Sequence, residues 1–233
     1  MARILMVVTA ADSLTLADGS VHPTGFWAEE LVVAHRELTR AGHAITLTTP
    51  RGVRPTVDPG SLSTAIVGDQ AQVDEFAAYL ASIDDALAHP LPLSDVVPTD
   101  YDAIVLPGGH GPMADLATDL ELGALLTAAN AAHTLIAPFC HGPAGLLSAT
   151  DVNGVFTFAG RRLTVFTDDE ERTGGLGENT PWFVASTLAE RGAIVEDGAP
   201  WSSHVVRDGN LITGQNPQSS HAVAAELITA LAS

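Results

Sequence analysis

The sequence predicts an α/β protein whose parallel sheet is sandwiched by helices. Short unbroken apolar runs alternate with helix-length amphipathic segments, which is how strands buried on both faces and their covering helices read. Several of the apolar runs also end in glycine- or proline-rich turns. A chain of 233 residues can bury roughly 70–75% of its unfolded surface, enough for one sizeable core. The reading is therefore a single domain over residues 1–233.

Strands are expected at 3–8, 44–48, 103–106, 134–139, 163–166 and 205–212, and helices at 27–41, 70–88, 114–131, 142–148, 179–191 and 218–231. Gly42 after Arg40 and Gly192 after Arg191 are placed as glycines that close helices. Residues 50–99 interrupt the alternation with Pro50, Pro55, Pro59, Pro90, Pro92 and Pro98 around one helical stretch, and read as an insertion or lid. The opening apolar run, up to Val8, is too short for a signal-peptide core, and no run approaches a membrane span, so a soluble, cytoplasmic protein is expected.

Charge narrows the function. The chain carries 28 acidic residues against 10 basic ones, a formal charge of −18, and every base is an arginine. Without lysine there can be no Schiff-base site, no pyridoxal-phosphate lysine and no Walker A loop. One cysteine, Cys140, removes disulfides and multi-cysteine metal sites. The negative surplus, with no arginine stripe to offset it, argues against nucleic acid and anionic membrane as partners.

Chemistry could sit in three places. At the first, the strand 134–139 runs into Cys140, His141, Gly142 and Pro143, so the thiol should stand on a tight strand-to-helix turn, where unpaired amides favour thiolate. A lone cysteine is more often a small buried hydrophobe. The uncrowded turn and the carboxyl end of a strand favour chemistry here. At the second, Pro107, Gly108, Gly109, His110 and Gly111 follow a strand, and such a loop can turn backbone N–H groups toward an oxyanion. A plain turn is the alternative, with His110 a supporting polar residue rather than a general base. The third is Gly25, Phe26 and Trp27 leading into Glu29 and Glu30. Successive helical residues point about 100° apart, so only one carboxylate can face the cysteine, and composition does not say which.

The spaced pair of a Pro-Gly-Gly-His-Gly loop and a Cys-His-Gly-Pro turn resembles the ThiJ/PfpI superfamily, and most closely its glyoxalase III and heat-shock-chaperone-like branch. Supporting stretches are 58–61, 166–171 and 208–220. The resemblance implies a flavodoxin-like sheet with a small inserted lid, a Cys140 nucleophile and His141 beside it. It places the family's glutamate at Glu30, five residues after Gly25 and twelve before Gly42, leaving Glu29 as an exposed capping residue. For the third, acidic member it points to Asp168, with Glu170 and Glu171 as runners-up. Several relatives carry His-Pro three residues after the glutamate, where this chain has Val33 and Ala34. A glutamine amidotransferase is disfavoured, because neither His204 nor His221 has a glutamate two residues on.

The implied activity is cofactor-free conversion of methylglyoxal or another small 2-oxoaldehyde to a 2-hydroxy acid through a Cys140 hemithioacetal, with Gly109, His110 and His141 around the substrate oxygen. Glu30, close to the sulfur, should have a raised pKa and titrate with it as a pair. No cofactor and no metal are expected. His22, Glu30 and His35 contain a two-histidine, one-carboxylate set, but their positions give no sign of convergence. The resemblance implies a homodimer. A cysteine amidase, peptidase or deglycase, and a redox-sensing or holdase role, are the competing expectations.

Overall fold

A computed structural model describes residues 1–232; the last position of the single-domain reading, residue 233, lies outside them. Its main sheet has seven strands: β1 (Arg3–Val7), β2 (Ala44–Thr49), β3 (Leu91–Pro92), β4 (Ala103–Leu106), β5 (Leu135–Pro138), β6 (Val205–Asp208) and β7 (Leu211–Gly214). They lie in the order β6-β7-β5-β4-β1-β2-β3, parallel throughout except for the antiparallel β6–β7 pair. Helices α1 (Ala28–Arg40), α2 (Gln70–Ser82), α3 (Leu120–Ala131), α4 (Asp168–Gly174), α5 (Val184–Glu190) and α6 (Ser220–Leu231) are joined by shorter turns. The architecture is the expected flavodoxin-like sheet.

Alternation along β1 divides the core. Ile4, Met6 and Val8 pack on one face with Leu31, Val32 and Leu38 of α1 and Val223 and Leu227 of α6. Leu5 and Val7 pack on the other, with Leu122, Leu125 and Leu126 of α3. The two-residue side-chain period of a strand thus fills both layers from one short segment. Because β2 lies on one side of β1 and β4 on the other, strand order reverses at β1, and a crevice opens at the carboxyl ends of the strands.

Several elements differ from expectation. The 205–212 run is a hairpin rather than one strand, because Gly209 takes φ 58° and turns the chain. The 163–166 run contributes only Arg162–Leu163, paired with Ile194–Val195 in a separate two-stranded ribbon. The predicted 70–88 helix breaks at Ile83, the 114–131 helix begins in earnest at Leu120, 142–148 is a 3-10 helix, and 179–191 shrinks to α5. The α4 helix is not among the expected helices, yet Thr167 and Glu170 cap it reciprocally. Within residues 50–99, Leu91–Pro92 supplies the edge strand. Among the described residues no helix is long and apolar enough to cross a membrane.

Candidate active site

Strand β5 delivers Cys140 to the carboxyl edge of the sheet. Cys140 takes φ 56°, a left-handed conformation costing an L-residue roughly 1–2 kcal/mol. Its amide donates to Gly214 O at 2.9 Å, and its carbonyl accepts from Phe166 N at 3.0 Å, so both sides of the elbow are clamped. Gly142 closes the turn where no side chain fits: a Cβ there would stand 2.1 Å from Leu106 O. Gly109 needs glycine twice over, with φ 89° and a Cβ position 2.4 Å from Gly25 O. Trp27 N donates to Gly108 O, and Gly111 N donates to Gly25 O, which ties the start of α1 to the glycine loop.

Around the sulfur, the Cys140 Sγ lies 3.3 Å from His141 Nδ1. The opposite ring nitrogen, Nε2, lies 2.7 Å from Glu171 Oε2. His110 Nε2 sits 3.2 Å from both Glu171 oxygens, and its ring packs 4.2 Å from that of His141. Burial would raise Glu171, but hydrogen bonds from His110 and His141 win and hold it far below the usual carboxylate range. Burial and the neighbouring His110 lower His141. With Glu171 an acceptor, the proton of a neutral His141 resides on Nε2, leaving Nδ1 free to accept from the thiol.

Asp168, the expected acidic member, does not reach His141. Its carboxylate accepts from Ser186 Oγ and the Ser186 amide, outside the cavity. Both lie in the first turn of α4, but Asp168 turns to Ser186 whereas Glu171 is buried against His141. Glu170, the other runner-up, accepts from the Trp201 amide and from Asn216 Nδ2 and fixes the loop instead.

Glu30 is completely buried. Its Oε2 accepts from Gly108 N at 2.6 Å, while Oε1 is buried with no hydrogen-bond partner of regular geometry. Burial raises this carboxyl to about 8, against a lowering interaction with the Cys140 thiol. Burial, followed by the Glu30 carboxyl, also pushes the Cys140 thiol well above its ordinary value. The backbone amides of Gly109 and His141 oppose that rise. The expected lowering of the thiol pKa by the elbow is therefore outweighed by burial, and at neutral pH the pair holds its protons.

Glu29 is not the exposed cap expected of it. It is half-buried, caps nothing, and lines the same cavity as Cys140, where burial raises it to about 7. This cavity, of about 410 Å³, is walled by Trp27 and Glu29 from α1 and its approach, and by Ile66, Val67 and Gln72 from the 50–99 stretch. Phe166, Trp201 and Gln218 complete the wall around Cys140, His110 and His141. Sequence reading missed Trp27, Gln72, Trp201 and Gln218 as wall residues. Only the Trp27 position, beside the candidate glutamates, carried any signal.

The histidine set His22, Glu30 and His35 does not assemble: His35 bonds Tyr79 and Glu30 bonds Gly108. The donors that do cluster among the described residues are His110, His141 and Glu171. Their hydrogen bonds run directly from ring to carboxylate, so a cation would have to break them.

Fold and site together define a flavodoxin-like protein with a cysteine on a strand-to-helix elbow, a histidine–glutamate relay and a second buried glutamate. The chain belongs to the DJ-1/PfpI family, matching it over residues 21–230. It is 25% identical to Glyoxalase 3 of Candida albicans over 99% of this chain and 98% of that protein. The crystal structure of glyoxalase III from that organism superposes with TM-score 0.83 over 98% of this chain and 97% of its own. Rapid Encystment Protein 24 kDa of Francisella tularensis is 28% identical, TM-score 0.87, over 99% of each chain. Protein/nucleic acid deglycase HchA of Pseudomonas aeruginosa is 29% identical over 94% of this chain and 77% of its own.

Proposed function

We propose that this protein is a cofactor-independent enzyme of the glyoxalase III type, converting methylglyoxal or a related 2-oxoaldehyde to the 2-hydroxy acid. The observation that carries the reading is the continuous line from Cys140 Sγ through His141 Nδ1 and Nε2 to Glu171, at 3.3 and 2.7 Å. The full-length likeness to Glyoxalase 3 supports it.

In this reading the sulfur adds to the aldehyde carbon, and the S–H proton passes through His141 to the carbonyl oxygen, giving a hemithioacetal. The Gly109 and His141 amides, which favour charge at the sulfur, stabilise the oxygen on the carbon bonded to it. His141, neutral again, removes the C1 hydrogen as a proton, and an enediol forms. Protonation at C2 and loss of the O1 proton leave a thioester of the 2-hydroxy acid: C1 is oxidised, C2 reduced, and no outside redox partner is needed. Water then cleaves the C–S bond and restores the thiol. Glu171 orients His141, and protonated Glu30 donates toward the sulfur as it gains charge.

A second reading is favoured by the likeness to HchA: the same thiol and amides would serve acyl transfer or deglycation. Among substrates of that kind a nucleic acid fits poorly, since the chain has a net charge of −18 and no arginine lines the cavity. Assays with methylglyoxal and with glycated amines and peptides separate the readings. D-Lactate from methylglyoxal as the dominant product is the expected result, and release of amine or peptide without D-lactate overturns it. A cytoplasmic homodimer, checked by light scattering and fractionation, belongs to the same proposal.

A further inference from the structure

The cavity is far larger than methylglyoxal requires. A volume of about 410 Å³ lies within the range of sites for whole metabolites, roughly 300–1,000 Å³. A three-carbon aldehyde on Cys140 leaves most of it empty. What lines the remainder is a distinctive set: the indoles of Trp27 and Trp201, the carboxyl of Glu29, and the amides of Gln72 and Gln218.

Glu29 is the informative member. It forms no hydrogen bond or ion pair with any described residue, although it is half-buried at the cavity wall. No arginine lines the cavity, and the chain has no lysine. Its oxygens are bonded to no described protein group, so they are free to meet the hydroxyls of a ligand in the cavity. Gln72 and Gln218 likewise make no side-chain hydrogen bond to another described residue at this wall. Carboxyl, amides and flat aromatic faces together suit a hydroxylated carbon chain, whose O–H groups meet the polar atoms while its C–H faces lie on the rings.

We propose, building on the glyoxalase reading, that Glu29 is a recognition residue fitting this cavity to sugar-like 2-oxoaldehydes: uncharged chains longer than methylglyoxal that carry several hydroxyls. Anionic chains are disfavoured, because no arginine lines the wall to neutralise them. Cationic chains are disfavoured, because burial holds Glu29 toward its neutral form, in which it both donates to and accepts from hydroxyls.

The test is a selectivity ratio, kcat/KM for 3-deoxyglucosone divided by kcat/KM for methylglyoxal, in wild type, Glu29→Gln and Glu29→Leu. The ratio should exceed unity in wild type and fall by about tenfold in Glu29→Leu, with a smaller fall in Glu29→Gln, whose amide still bonds hydroxyls. A purely structural role at the start of α1 would shift thermal stability and leave the ratio alone. A ratio in Glu29→Leu within about twofold of wild type overturns the proposal. So does a wild-type preference for a cationic or phosphorylated 2-oxoaldehyde. Titration of Cys140→Ser with 3-deoxyglucosone, followed by tryptophan fluorescence, reads binding without chemistry. Tight binding that Glu29→Leu weakens about tenfold, with no turnover by wild type, supports the recognition claim and defeats the glyoxalase reading. Turnover of both aldehydes with no discrimination does the reverse.

Discussion

Among single residues, Glu171 and Glu30 make the sharpest predictions. Glu171→Gln should lower kcat by about 10²-fold or more, since His141 loses the acceptor that sets its tautomer. Asp168→Asn, at a carboxylate that among the described residues bonds Ser186 and pairs with Arg172, should change kcat by less than about threefold. Steady-state kinetics on the two variants decide between the carboxylates. Glu30 gives a pH signature. With its carboxyl raised to about 8, turnover that needs the protonated form declines above that pH, and Glu30→Gln should abolish the limb while lowering kcat. The same shift acts on stability. Below the ordinary carboxyl value of 4.5 both folded and unfolded states hold the proton; from there to about 8 only the folded state does, so stability falls with rising pH. Urea midpoints from pH 4 to 9, with Glu30→Gln as control, should show a decline that the variant flattens. Cys140, His141, His110 and Gly109 were legible in the sequence, because strand-to-turn punctuation fixes where such residues stand. The choice of Glu171 over Asp168 was not legible. All three candidates lie in the first turn of α4, and only its packing says which one faces inward.

At the scale of elements, the site depends on backbone approaches that side chains would prevent. Gly142→Ala puts a methyl 2.1 Å from Leu106 O, and neither partner is a flexible side chain. The elbow must shift, at a cost of about 3 kcal/mol or more. A lowered urea midpoint together with lost activity is the expected outcome; unchanged values would show that the elbow tolerates displacement. The parallel core strands were readable because burial on both faces leaves an unbroken apolar run. The 205–212 hairpin and the β3 edge strand were not, since arms of four residues and a proline-bearing pair look alike in strands and loops. Residues 50–99 stood apart in the sequence by their prolines. That Ile66, Val67 and Gln72 reach the cavity is a tertiary contact with no local pattern.

Across the whole molecule, the charge of −18 predicts self-repulsion that salt relieves. Raising NaCl from 20 to 300 mM, concentrations chosen about the screening range, should raise Tm by roughly a few degrees. A fall in Tm would mean that the arginine ion pairs outweigh the repulsion. The same charge leaves the site to build its positive field from amides at Gly109 and His141, since no arginine lines the cavity. In the proposed reaction, covalent chemistry therefore rests on one sulfur. The most direct measurement is D-lactate formation from methylglyoxal without added cofactor, wild type beside Cys140→Ser. The account predicts steady production by the wild type and none above the buffer rate by a folded Cys140→Ser; production retained by the variant would contradict it.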